Sequence, residues 1–139
     1  MKNKAPLALM DQLIMLMVFA IAAALCLQIF ALSGRISRDI ENRDNAIMAV
    51  RNAAESIKIS NGDLSEHAAL FGGTHTGETW DIYYDADWDV TSFENAVYCV
   101  TAQISNGASD YLGTADVSAA KLDGEVLFEV TVAWQEVSP

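Results

Sequence analysis

The chain has 139 residues and a formal net charge of −11 at pH 7. Beyond Ser60 it carries fourteen acidic residues and one basic residue, Lys121. This part therefore lacks the Lys and Arg side chains with which proteins contact nucleic acids or anionic membranes, and we expect no nucleic-acid partner. Its roughly 80 residues are enough for one small domain with a modest core.

An apolar run from Leu13 to Leu32 dominates the start of the chain, and only Gln28 interrupts it. About 20 residues that rise about 1.5 Å each can cross a bilayer as a helix. Because the run is too long for the apolar part of a cleaved secretory signal, it predicts a retained single-pass membrane anchor. Basic residues flank the run on both sides, so charge alone does not predict its orientation.

The helical pattern continues beyond the apolar run to about Ser60. Pro6 fits the first turn of such a helix, and Asn61-Gly62 is a typical C-terminal stop. In the second half, apolar residues recur at helical spacing and predict a single stripe. The stripe comprises Ile36, Ile40, Ile47, Val50, Ala54 and Ile57.

The rest of the chain predicts strands. Residues 64–77 predict a loop with one helical turn at 66–70. Alternating patterns then predict strands at 80–85, 97–104, 112–121 and 125–136, with turn dipeptides at Asn106-Gly107 and Asp123-Gly124. We therefore predict an α+β fold, in which a long N-terminal helix packs on a four-stranded antiparallel β-meander. The segments are a basic start at 1–6, an apolar half-helix at 7–33 that can span a membrane, an amphipathic half-helix at 34–60 and an acidic head at 61–139.

The last hairpin also predicts a register. If Asp123-Gly124 forms a two-residue loop, Ala119 pairs with Phe128 and Asp116 pairs with Thr131. One side of the hairpin is then apolar and the other is mostly polar, as a half-buried sheet requires. The apolar side needs a cover, and the helical stripe is the candidate. The apolar side of the hairpin carries Phe128, Val130, Val132 and Trp134.

This arrangement of helix, loop and meander resembles the type IV pilin family, including the pseudopilins of type II secretion. The local match is the segment Leu7–Asp11: counted from Leu7, Asp11 stands fifth, where the family has a glutamate. Lys2–Pro6 resembles the basic leader in charge and length. Two residues depart from the pattern, since the leader ends in Pro6 instead of glycine or alanine, and aspartate replaces glutamate.

The resemblance implies a structural subunit. The resemblance makes residues 1–6 a basic leader and residues 7–33 the transmembrane half-helix, which lies in the cytoplasmic membrane before assembly. The subunit then polymerises through this half-helix, which forms the filament core, with copies of itself and with other pilin-like subunits. The filament is extracellular, at the cell surface. The resemblance assigns Leu7 and Asp11 to assembly, because the carboxylate neutralises the terminal amine of a neighbouring subunit. The alternative is a single-pass anchored protein whose acidic β-head binds a ligand or partner without polymerising.

An acidic cluster in the head permits a second site. Asp85, Asp87 and Asp89 place oxygen ligands at alternate positions, as a calcium loop does at its start, and Glu94 can add another. The glycine and glutamate that an EF-hand needs further along are absent. A solvated acidic loop is the favoured interpretation and a calcium site the alternative; no other cofactor is expected.

Other reactive side chains give no catalytic pattern. His67 and His75 lie in the predicted loop without a second Cys or His pair, and we expect both to be exposed. No motif places a nucleophile beside a base, so we expect no enzymatic activity. Cys26 and Cys99 lie in separate segments, and we expect no disulfide between them.

Overall fold

The protein is an α+β fold with one antiparallel sheet. The computed structural model describes residues 4–105 and 111–136. Five strands follow one another in the sheet in chain order, one more than the sequence predicts. The elements are α1 (Lys4–Ile59), α2 (Leu64–Phe71), β1 (Thr74–Thr76), β2 (Thr79–Tyr84), a 3₁₀ turn (Phe93–Asn95), β3 (Tyr98–Ser105), β4 (Leu112–Lys121) and β5 (Val126–Gln135).

The chain divides into two compact units between Glu41 and Asn42. The first unit contains the apolar part of α1. The second contains the end of α1, together with α2 and the sheet. The predicted turn at Asn106-Gly107 falls outside the described residues.

Helix α1 ends where the sequence predicts. Asn61 adopts a left-handed conformation with φ of 50°, and Gly62 follows with φ of 80°. The N–H of Gly62 donates to the Ile57 carbonyl at 2.9 Å, and the N–H of Asn61 donates to the Lys58 carbonyl at 3.2 Å. These two bonds form a Schellman motif, which satisfies carbonyls at the helix end that otherwise have no partner.

The end of α1 covers the apolar face of the sheet, as predicted. Val50, Ala54 and Ile57 join the core, whereas Ile47 is half-buried. The stripe also includes three small residues that the prediction missed, Ala46, Ala53 and Ser56. Small side chains let a helix backbone approach a sheet closely. In the first unit, Ile36 and Ile40 are exposed.

The register of the last hairpin matches the prediction, although the loop differs. Ala119 pairs with Phe128 and Asp116 pairs with Thr131. The loop has three residues instead of two: the N–H of Lys121 donates to the Glu125 carbonyl, and Gly124 has φ of 98°. A β-bulge opposite Ala119 and Ala120 then leaves Leu127 without a partner in the ladder. The extra loop residue and the bulge compensate for each other, so the register is preserved.

Trp134 on β5 packs against two glycines. A Cβ added to Gly62 would lie 2.2 Å from Cζ2 of Trp134, and one added to Gly113 would lie 2.2 Å from Cε2. Gly62 belongs to the end of α1 and Gly113 to β4, so the indole links the helix terminus to the sheet. The ring is 7% exposed. Phe128 and Val130, on the same strand, are half-buried.

The segment between α1 and the sheet contains more structure than predicted. Helix α2 has eight residues instead of one turn, and the exposed strand β1 follows it. Asp63 caps α2, since its Oδ1 accepts hydrogen bonds from the N–H groups of Ser65 and Glu66 at 2.9 and 3.1 Å. These bonds, together with one from the Ser65 hydroxyl, which contributes most, lower the pKa of Asp63.

Candidate functional site

The main candidate surface is the apolar part of α1. It is long and apolar enough to cross a membrane, and none of its 18-residue window is buried within the chain. A soluble protein rarely leaves so large an apolar surface uncovered, because its exposure to water is unfavourable. This surface is therefore suited to contact lipid or other helices. Its exposed large side chains include Leu13, Leu16, Phe19, Leu27, Phe30 and Leu32.

Small residues on the same helix allow a close approach to a second helix. Gly34 has open space around the position of a Cβ. Small residues favour helix association in lipid, where packing replaces the exclusion of water as the driving force. The other small residues of this part are Ala20, Ala22, Ala23, Ala24 and Ala31.

Leu7 and Asp11 lie one turn apart and line the same shallow concavity on α1. Both belong to the described part of the helix. Within residues 4–105 and 111–136, the one ion pair joins Lys121 to Glu125, so Asp11 has no ion-pair partner there. A carboxylate at the entrance of an apolar run is costly in a low-dielectric setting unless a positive group meets it.

The acidic loop after β2 has a defined turn. Oδ1 of Asp85 accepts hydrogen bonds from the N–H groups of Asp87 and Asp89 at 2.9 and 3.0 Å, and the N–H of Asp85 donates to the Asp89 carbonyl. Trp88 takes φ of 64° at the tip and stacks on Tyr98 with ring centroids 4.3 Å apart. The turn is therefore held by two hydrogen bonds to the Asp85 carboxylate, by the backbone bond from Asp85 to Asp89 and by an aromatic contact.

These carboxylates do not converge. Among residues 4–105 and 111–136, no group of three or more His, Cys, Asp or Glu side chains is placed to hold a metal. Glu94 lies in the 3₁₀ turn Phe93–Asn95 and is exposed. Oδ1 of Asp85 accepts hydrogen bonds within the turn, while Asp87 and Asp89 are exposed to solvent. The solvated acidic loop and the calcium site therefore both remain predictions, which thermal unfolding with and without calcium can distinguish.

We expect Asp85→Ala to lower the free energy of unfolding of the head by about 1 to 2 kcal/mol, since two hydrogen bonds to the turn are lost. Asp85→Asn should keep the stability near wild type, because the amide oxygen can accept the same two bonds. Thermal unfolding of both variants, with and without millimolar calcium and with magnesium as control, checks this. A calcium-specific stabilisation that Asp85→Asn removes would instead support a metal site.

A second candidate surface is a groove of about 400 Å³ in the second unit. It lies where α1, α2 and β2 meet. Its walls are mostly apolar, with four polar side chains among them. The residues that line it are Ala49, Asn52, Ala53, Glu55, Ser56, Ile59, His67, Phe71, Trp80, Ile82 and Tyr84.

His67 lies in the wall of this groove, and the prediction that it is exposed is wrong. The side chain is 0% exposed because α2 turns it toward Trp80. The missed signal is Asp63 with Glu66 three residues later, a pattern typical of helix N-termini. It would have predicted a full helix and thus a buried side for His67. His75 is exposed, as expected, and contacts the Gly77 carbonyl.

The two cysteines remain free thiols. Cys99 lies on the outer side of the sheet, and burial, the largest cause, raises the pKa of its thiol. A thiol that stays protonated at neutral pH is a weak nucleophile.

Comparison of the chain with protein-family models, with curated proteins and with solved structures finds no significant match.

Proposed function

We propose that this protein is the structural subunit of a pilin-like filament, anchored in a membrane through α1 before assembly. The observation that carries the proposal is the wholly exposed apolar part of α1, in a helix whose other end packs on an antiparallel sheet. One element thus combines an assembly surface with the core of a folded head. This combination suits a subunit that polymerises and presents its head to solvent.

The apolar part of α1 can move from lipid into a filament at little cost in free energy. Moving α1 from lipid to a bundle of identical helices keeps its surroundings apolar, so the transfer changes the free energy of hydration little. Close packing at small residues such as Ala20, Ala24 and Ala31 would then favour the assembled state. Apolar helices would form the filament core, with the acidic heads outside.

Asp11 has a specific role in this proposal. Its carboxylate meets a positive group of a neighbouring copy, either a lysine or the amine at a terminus created before Leu7. Neutralisation removes the cost of an unpaired charge among apolar helices. The head contributes no chemistry to this step, and we propose that the protein is not an enzyme.

Shearing cells and comparing the sheared and membrane fractions tests the proposal. Wild-type protein should occur in large sheared assemblies, and Asp11→Ala should shift it to the membrane fraction. Gln12→Ala, the adjacent residue on another side of α1, is the matched control and should assemble normally. The mass of the mature N-terminus shows whether an amine at Leu7 exists.

Two results would contradict the proposal. Protein found only in detergent-solubilised membranes, as a monomer, would favour the anchored binding module. Assembly of Asp11→Ala at the wild-type level would show that Asp11 does not pair between subunits. The head of the variant should remain folded in either case, which circular dichroism of the purified protein checks.

A further inference from the structure

His67 is a buried titratable group that the proposed function does not use. Its ring is fully buried, and neither Nδ1 nor Nε2 has a hydrogen-bond partner in the described structure. It packs edge-on to Trp80 with centroids 4.4 Å apart, and tilted to Phe71 at 5.2 Å. Burying the neutral imidazole without a hydrogen bond already costs free energy, and burying an imidazolium there without an ion-pair partner would cost far more.

Helix α2 depends on few buried contacts. Of its eight residues only Leu64 and His67 are buried, Ala68 is partly buried against the core, and α2 contacts β1 and β2. At the end of α2, Trp80 donates its indole N–H to the Gly72 carbonyl at 2.8 Å. A change at His67 therefore acts on one of the two buried side chains of α2.

We propose that α2 is an acid-sensitive latch, which leaves the sheet when the buried ring of His67 gains a proton. Once α2 is released, the imidazolium reaches water, and the apolar wall of the groove at Trp80 and Ile82 becomes accessible. The inference does not depend on whether the chain polymerises, since every group involved lies in the second unit.

The charged groups around His67 do not compensate its proton. On α1, Glu55 lines the same groove, and on β2 the pKa of Tyr84 is raised by burial, which keeps the phenol neutral. On α2, Asp63 and Glu66 are exposed. On β1, His75 is exposed and contacts Gly77. None of these forms an ion pair or hydrogen bond with His67.

The sign of the pH effect follows from linkage. Burial lowers the pKa of His67 in the closed state, whereas in the open state the ring regains the ordinary value near 6.5. The open state binds the proton more readily, so stability is complete above about pH 6.5 and is lost as the pH falls toward the lower closed-state pKa. For one proton, the open population rises by at most tenfold per pH unit, and by at most about 30-fold between pH 7.5 and 5.

Hydrogen exchange of the full chain in detergent micelles tests the latch. The readout is the exchange rate of amides in residues 64–72, corrected for the intrinsic effect of pH, between pH 7.5 and 5. This range stays above the ordinary pKa of the carboxylates. Wild type should show an excess of up to about 30-fold at pH 5, and His67→Phe, which keeps an aromatic ring, should show none. His75→Phe is the matched control and should behave as wild type.

A measurement on wild type keeps the test valid if His67→Phe does not fold. The ring signals of His67, followed by NMR in the intact protein, should titrate below pH 6.5 and change together with the Trp80 indole signal. Titration of His67 at 6.5 or above would overturn the proposal. The same conclusion would follow if exchange in α2 did not change with pH, or if the excess persisted in His67→Phe.

Discussion

Replacing Trp134 by alanine should lower the free energy of unfolding of the head by about 3 to 5 kcal/mol. Trp134 is 7% exposed, and its indole fills the space above Gly62 and Gly113. Neither glycine has a side chain that could fill this space in its absence. Its removal leaves a cavity between the end of α1 and β4. Chemical denaturation, followed by circular dichroism, measures the loss. Gln135→Ala, the exposed neighbour on β5, should change stability by less than about 0.5 kcal/mol.

A double-mutant cycle shows whether the glycine and the indole act together. Gly113→Ala alone should be destabilising, because the new Cβ overlaps the Trp134 ring. In the Trp134→Ala background the same change should cost much less, since the ring that it meets is gone. Additive effects of the two changes would show that Trp134 does not contact Gly113 in solution.

Ala22→Arg should greatly reduce membrane insertion of the chain. Ala22 lies near the middle of the apolar run, where an arginine disfavours insertion by about 2.5 to 3.5 kcal/mol. This corresponds to a change of roughly two orders of magnitude in the equilibrium between inserted and non-inserted protein. Carbonate extraction of membranes, followed by quantification of the pellet, measures the effect.

Two controls show whether the loss of insertion is due to a charge in the middle of the run. Ala22→Leu should insert at least as well as wild type, because it adds apolar area at the same place. Ser33→Arg, at the end of the run, should insert nearly normally, since a long side chain can reach the interface there. Equal insertion of Ala22→Arg and wild type would indicate that this part of α1 does not enter the hydrocarbon core.

The elements with long, regular patterns could be predicted from sequence. An apolar run followed by a helical stripe predicted α1, and alternating residues predicted the strands β2 to β5. Helix α1 ends at the predicted Asn61-Gly62. The hairpin register was predicted from a two-residue loop at Asp123-Gly124. It matches the structure because the bulge at Leu127 offsets the third loop residue, so that the apolar side chains stay on one face of the sheet.

Shorter elements could not be predicted in the same way. Helix α2 has too few residues to show a helical stripe, and β1 has three exposed residues without alternation. Ala46 and Ala53 are buried because they lie on the side of α1 that faces the sheet. Alanine occurs both in cores and on surfaces, so the residue type alone does not predict this burial. The stacking of Trp88 on Tyr98 and the bond from Trp88 to Asn42 at 3.5 Å join residues distant in sequence, so no local pattern indicates them.

For the candidate sites, the sequence indicates which residues can take part but not how their side chains are oriented. Asp85, Asp87 and Asp89 were found as a cluster in sequence, but their mutual orientation depends on the turn, which uses Asp85 as a backbone acceptor. The loop predicted for residues 64–77 does not indicate the burial of His67, whereas the capping pattern of Asp63 and Glu66 indicates the helix that turns it inward.

The bulge in the last hairpin has an evolutionary consequence. Leu127 has no partner across the ladder, so its deletion would leave a regular ladder with every core pair in place. A residue gained or lost at the exposed loop around Asp123 would likewise leave the core pairs unchanged. A deletion at Thr131 would instead turn the following side chains to the opposite face of the sheet. Related chains should therefore differ in length at these two places of the hairpin, where selection against insertions and deletions is weakest.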